Sequence, residues 1–221
     1  MLQLNGLRHL EVGPVDLRVE DSECVAIEGR SGSGKSVLLR TIADLDPHTG
    51  DASLDGVACS AMPAPRWRQQ VTYVAADSGW WADRVEDHFV AGDGLQALLA
   101  RVGLPSEAAQ WPVSRLSTGE RQRAALLRAL TPANRVLLLD EPTSGLDLET
   151  REQVEALLRE RMGQGASVLL VTHDADLAKR LAHRRFEMDR GQLREMNPHD
   201  GRAIRGDPRK EPGNDGMQRD A

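Results

Sequence analysis

The run Gly29-Arg30-Ser31-Gly32-Ser33-Gly34-Lys35-Ser36 constrains this chain more than any other stretch. It fits G-x-x-x-x-G-K-[ST], and it stands between a strand-like run, Cys24–Glu28, and a helix-like run, Ser36–Leu45. The glycines let backbone N–H groups turn inward around an anion. The helix start adds partial positive charge at the same point. Lys35 supplies a compact cation for terminal phosphates, and Ser36 a hydroxyl for a magnesium ion. A flexible turn before a helix is the ordinary alternative. Lysine choice argues against it. The chain has 25 arginines and three lysines, Lys35, Lys179 and Lys210, so arginine is its default cation. A tight loop needs the point charge of lysine, which the planar arginine fork does not replace.

Around this loop, short apolar runs alternate with helical patterns, which predicts a parallel sheet covered by helices. Gly50–Gly56 and Val71–Val74 read as strands. From about residue 80 to 118 glycines and prolines break the pattern, so a small helical insertion is expected there. All four tryptophans, Trp67, Trp80, Trp81 and Trp111, are expected in or beside it. A helix at about Glu120–Leu130 precedes a buried strand Val136–Asp140. A helix at about Leu148–Met162, a strand Ser167–Thr172 and a helix at about Asp174–Ala182 follow. Phe186–Asp189 and Gln192–Glu195 read as a hairpin. From Asn197 on the chain is polar, with Pro198, Pro208 and Pro212, and residues 197–221 are expected to be disordered.

Two strand ends add chemistry. Asp140 and Glu141 close an apolar strand, where ligands gather in parallel sheets. Asp140 suits a magnesium ion, and Glu141 suits the polarising of an attacking water. His173, after Ser167–Thr172, can reach a γ-phosphate. Phosphoryl transfer needs an oriented nucleophile and neutralised charge, which these groups supply. Singly, each has a plain structural reading as a turn residue or helix cap.

Ser117-x-x-Glu120 is a capping box that opens a helix. With its neighbours Leu116, Thr118 and Gly119 it also resembles the signature of the ATP-binding cassette (ABC) family. Ser31–Ser36, Asp140–Asp147 and Leu170–Asp174 resemble that family's phosphate loop, magnesium strand with D-loop, and switch-histidine segment, in order, between about residues 2 and 196. The resemblance implies a P-loop, RecA-like α/β core with an N-terminal antiparallel β segment and a small helical subdomain. It implies that residues 1–196 form one ATPase domain. It implies ATP and Mg²⁺ as ligands, with Gly29, Arg30, Ser31, Gly32, Ser33, Gly34, Lys35, Ser36 and Val37 around the nucleotide and Glu141, His173 and Lys35 as the catalytic set. Magnesium falls to Ser36 and Asp140. A second cassette, as in a homodimer, would bring Ser117, Thr118, Gly119, Glu120 and Asp147 in trans to that nucleotide. Membrane-spanning permease subunits would be separate chains, and this one would sit at the cytoplasmic face of a bacterial inner membrane.

The sequence departs from the family in three places. Ala76 stands where a glutamine is usual, and neighbouring Asp77 is either a substitute magnesium ligand or a solvated turn residue. Thr118 replaces a signature glycine. No aromatic residue stands ready for adenine; His9 is the nearest planar group, or a plain loop residue. Trp80 and Trp81 either fill the subdomain or face a membrane partner. Arg68–Val71 and Gly103–Pro105 resemble a bacterial iron or metal export group.

Net charge of −6 argues against nucleic acid as a partner. Cys24 and Cys59 lack metal-ligand spacing and are expected to be reduced, small hydrophobes. The N-terminus shows no basic start with a long apolar run, so no signal peptide is expected, and no stretch reaches the ~20 apolar residues of a membrane span. Against the transporter subunit stand two other readings: a soluble cassette protein of translation or repair, and a degenerate cassette that binds ATP with little hydrolysis.

Overall fold

The computed structural model describes residues 1–90 and 94–197. Two sheets make the frame. The N-terminal one is antiparallel and joins β1 (Leu2–His9), β2 (Val12–Val19), β4 (Thr49–Leu54) and β5 (Val57–Ala58) in the order β2-β1-β4-β5. The central one joins β3 (Cys24–Glu28), β6 (Val71–Val74), β7 (Val136–Asp140), β8 (Ser167–Val171), β9 (Arg184–Asp189) and β10 (Gln192–Glu195) in the order β10-β9-β3-β8-β7-β6. Its pairs are parallel except the β9–β10 hairpin.

Every residue of β7 and β8 is buried, as covered parallel strands require. Their period of two splits the side chains between two cores. Val136, Leu138, Leu169 and Val171 enter one, with the N-terminal sheet and α1 (Lys35–Ile42). Leu137, Leu139, Val168 and Leu170 enter the other. There they meet α4 (Thr118–Ala129), α5 (Leu148–Gly163), α6 (Ala175–Leu181) and the insertion. Each fully buried leucine contributes about 1.5–3 kcal/mol. The sheet is thereby fixed from both sides, and the carboxyl ends of β3, β7 and β8 open together.

Several boundaries differ from the sequence expectation, each for a local reason. α1 stops at Ile42 and not at Leu45. Asp44 turns left-handed at φ 56°, Leu45 N donates to Arg40 O at 3.0 Å and Asp44 N to Thr41 O at 3.1 Å. This is a C-terminal cap of the Schellman kind with aspartate in glycine's place. Leu45 therefore points away from the core and is 40% exposed. The insertion is less helical than expected. Only α3 (Leu95–Ala100) is an α-helix among its described residues; the rest is 3₁₀ turns at 86–88, 106–110 and 113–115. Pro105 and Pro112 stand just before the last two, where a longer helix cannot form.

Trp67 is not part of the insertion. It lies on α2 (Ala64–Gln70), wholly buried in the core under the N-terminal sheet. Its indole N–H donates to Ile42 O at 2.9 Å, satisfying a carbonyl that the end of α1 leaves open. The expected disordered tail, beyond Asn197, lies outside the described residues.

Candidate functional site

Strand β3 delivers the chain into the glycine loop, and α1 begins directly behind it at Lys35. Gly34 stands at the helix entrance with φ 106°, and a Cβ there would lie 2.5 Å from Val12 Cγ2. Gly29 has φ 146°, and its Cβ would meet Met188 O at 2.3 Å. Neither position admits a side chain. The loop leans on the β9–β10 turn, where Gly191 N donates to Ser33 O at 3.0 Å and Gly191 O accepts from Gly13 N at 2.9 Å.

The loop forms one wall of a cavity of about 480 Å³. Gly29, Ser31, Gly32, Gly34, Lys35, Ser36 and Val37 line it from below, and Ala76, Asp140, Glu141 and His173 from the strand ends. The lysine Nζ donates to Gly29 O at 2.7 Å and to Arg30 O at 2.9 Å, so it is held across the loop mouth. The buried Ser33 hydroxyl has no hydrogen-bond partner among the described residues. The cavity wall that Gly29 and Gly34 keep clear of side chains, beside Lys35 and a helix start, fits a phosphate group. Ser36 and Asp140 offer oxygen ligands only, which is magnesium chemistry.

Asp140 is buried at the end of β7. Tyr73 pairs with Leu138 across the sheet, so its side chain shares a face with Asp140 two residues further on. The Tyr73 hydroxyl donates to Asp140 Oδ2 at 3.0 Å. Burial, and then the Asp140 carboxylate, push the Tyr73 phenol upward, so it keeps its proton and stays a donor.

Glu141 has φ 52°, a left-handed conformation uncommon for a non-glycine residue and enriched at functional sites. Three bonds hold it. Its N–H donates to Val171 O at 2.9 Å, and its carbonyl accepts from Ser144 N at 3.2 Å and from the buried Gln122 side-chain amide. The carboxylate Oε2 lies 2.8 Å from His173 Nδ1 and accepts from His173 N at 3.3 Å. Nδ1 is therefore the ring nitrogen that faces the Glu141 carboxylate. The following residue, Asp174, caps α6 by accepting from Asp176 N at 2.9 Å and Leu177 N at 3.0 Å, and it pairs with Arg151 at 3.0 Å. The Leu177 N–H above all, with the Asp176 N–H and the Arg151 charge, holds its carboxyl below the usual range.

Other expected residues stand elsewhere. Ser117 forms the full capping box with Glu120: Ser117 N donates to Glu120 Oε2 at 2.7 Å, and Glu120 N to Ser117 Oγ at 3.3 Å. Thr118 and Gly119 form the first turn of α4. Asp147 caps α5, accepting from Thr150 N at 2.9 Å and Thr150 Oγ1 at 3.0 Å. Within one chain none of these five lines the phosphate cavity.

Ala76 lines the phosphate cavity, whereas Asp77 lines a separate one with Trp80, Asp83, Ser114 and Arg121. β6 ends at Val74, and from there the chain turns toward the insertion. The two tryptophans divide between the two readings. Trp80 packs against the second core, while Trp81 is 71% exposed. The Arg128 guanidinium lies 4.7 and 4.6 Å from their rings, and both rings meet His88 edge-on. His9 ends β1, outside the cavity lining. The sequence reading missed Tyr73 and Gln122. Tyr73 reaches the Asp140 carboxylate and Gln122 the Glu141 backbone carbonyl, both from distant segments, and only the 3.6-residue phase of α4 hinted that Gln122 faces inward.

Fold and site together define a P-loop nucleotide hydrolase, with its phosphate loop and its acidic strand ends on one rim. Comparison with known proteins narrows this. The family model described as "ABC transporter" matches residues 12–144. The aliphatic sulfonates import ATP-binding protein SsuB 2 of Frankia alni is 40% identical over 193 residues, covering 85% of this chain and 75% of that one. The Fe(3+) ions import ATP-binding protein FbpC of Streptomyces coelicolor is 40% identical over 194 residues, covering 81% of this chain and 55% of that one. A solved dimeric bacterial ABC transporter cassette superposes with a TM-score of 0.76 at 25% identity, covering 88% of this chain and 98% of that one.

The chain belongs to the ABC transporter family, as an ATP-binding and ATP-hydrolysing subunit. Both named relatives are import proteins, so the expected likeness to an export group is replaced by membership of the family at large. No helix among the described residues is long and apolar enough to cross a membrane.

Proposed function

We propose that two copies of this chain pack head to tail around two ATP molecules and drive separate membrane-spanning subunits at the cytoplasmic face of a bacterial inner membrane. In this reading residues 1–196 form one cassette with an insertion at about 80–118. The loop Gly29–Ser36 cradles the phosphates, and Val37 borders them. Lys35 moves from the loop carbonyls to the terminal phosphate and offsets its charge. Ser36 and Asp140 would hold the magnesium ion, with Tyr73 orienting Asp140. When bound, the ion supplies further charge neutralisation at the phosphates.

Glu141 orients and polarises the attacking water. His173 donates to the Glu141 carboxylate through Nδ1–H and, as the imidazolium, would donate to the γ-phosphate through Nε2–H. Ser117, Thr118, Gly119, Glu120 and Asp147 act on the partner's nucleotide. The capped start of α4 is suited to this, since a helix N-terminus favours an anion. The net charge leaves nucleic acid out of this reading. The import names of the relatives favour uptake over export for the transporter that this chain would serve.

The observation that carries the proposal is the Glu141–His173 contact of 2.8 Å on the rim that Lys35, Ser36 and Asp140 share. Turnover by the purified chain tests it. Glu141→Gln is expected to lose ~100-fold or more in turnover while still binding ATP, and to elute as a dimer when ATP is present. Native turnover in that variant, or a monomer at saturating ATP, would contradict the proposal.

A further inference from the structure

Asp44, His48 and Cys59 take no part in the nucleotide chemistry, yet the fold brings them together. Asp44 closes α1, His48 lies just before β4, and Cys59 opens a 3₁₀ turn after β5. One ligand atom from each lies within 4.8 Å of the other two. Zinc bonds to sulfur, nitrogen and oxygen of about 2.0–2.3 Å place tetrahedral ligands about 3.3–3.8 Å apart. Small side-chain rotations therefore close the set.

The donors differ in kind: a carboxylate, an imidazole and a thiol. That mixture selects zinc and its neighbours, whereas magnesium and calcium take oxygen alone. The thiol is buried, and the other two groups are half-buried. His48 already has the supporting bond that metal-bound histidines make. Its Nδ1 lies 3.2 Å from Asp46 O, and a proton placed there leaves the Nε2 lone pair open.

The neighbouring charges leave Asp44 available. Asp46 is taken by a two-pronged pair with Arg40 at 2.8 and 2.7 Å. Asp44 makes only a long ion pair, to Arg68 at 4.0 Å, among the described residues. Asp51 adds a second negative charge close enough to act on the thiol. Asp44 itself occupies a left-handed position that glycine fills most readily, so a carboxylate is placed there at a conformational cost.

We propose that Asp44, His48 and Cys59 bind one zinc ion, with the fourth position left to water. Binding releases the Cys59 proton to solvent. The ion ties the end of the helix that begins at Lys35 to the β4–β5 arm.

The test uses the full chain, stripped with a chelator. Zinc is titrated against a chromophoric chelator, and Co²⁺ serves as an optical probe of thiolate ligation. One zinc per chain and a near-ultraviolet thiolate-to-cobalt band are expected. Cys24 is wholly buried inside the central sheet and contributes no background. Cys59→Ser is expected to abolish the band and weaken zinc binding by more than about tenfold. His48→Ala, at a half-buried position, is expected to weaken zinc as much while keeping the metal-free melting temperature of the native chain. Absence of the band in folded native protein would overturn the site. So would zinc bound equally well by both variants, since that ion sits elsewhere.

Discussion

Replacing Gln122 by alanine removes the only side-chain donor to the Glu141 carbonyl among the described residues. Glu141 sits at φ 52°, a conformation that costs on the order of 1–3 kcal/mol and persists only when its surroundings enforce it. Val171 O and Ser144 N supply two holds, and the Gln122 amide supplies the third. A hydrogen bond of this kind contributes a net ~1 kcal/mol, and a carbonyl left short of a partner costs about 1–3 kcal/mol. The variant is expected to unfold about 1–3 kcal/mol more easily in urea. If the lost hold is felt fully in the transition state, turnover falls about 5- to 150-fold. The KM for ATP should stay within about twofold, because the phosphate loop is untouched. Phosphate release at saturating ATP, beside a denaturation curve, measures both effects. Gln122→Asn, one methylene too short, should behave like alanine. Native turnover at saturating ATP in a variant that is measurably less stable would show that Gln122 supports the fold and not the position of Glu141.

Other expectations follow from the same contacts. Gly34→Ala must place a Cβ 2.5 Å from Val12 Cγ2 at φ 106°, so it should lose nucleotide binding, read by quenching of a fluorescent ATP analogue. Tyr73→Phe removes the 3.0 Å bond to Asp140 and should raise the magnesium concentration needed for half-maximal turnover several-fold, with magnesium-free nucleotide binding unchanged. Asp174 has a folded pKa below its unfolded value of about 3.9. Its stabilisation is therefore present above that value and is lost as pH falls below it, through the lower folded value. Asp174→Asn should flatten that acid limb of the stability curve, measured by melting temperature from pH 7 downward.

What could be read from the sequence follows the range of the interactions. The glycine loop, the Ser117–Glu120 box and the strand-end carboxylates are local patterns, and each reappears where its spacing placed it. The buried strands were legible because Val136–Leu139 and Val168–Val171 are apolar throughout. Long-range partners were not. Tyr73 reaches Asp140 across 67 positions, and Trp67 caps α1 across 25. No periodicity encodes either. The support of Ser33 by the β9–β10 turn depends on a strand order that places β9 next to β3. The early end of α1 turned on one left-handed aspartate, a position that composition gives to glycine. Ala76 and Asp77, neighbours on the exit from β6, border different cavities, which no spacing announces.

The head-to-tail pairing is the claim on which the rest depends, and a cross-link reads it most directly. Both native cysteines are buried, while Ser31 in the loop and Thr118 in the signature are exposed. Cysteines placed at these two positions in a Glu141→Gln chain should join two chains through a short bis-maleimide when ATP and magnesium are present, and not without nucleotide. A cross-linked dimer that forms equally well without ATP, or none at saturating ATP, would contradict the account.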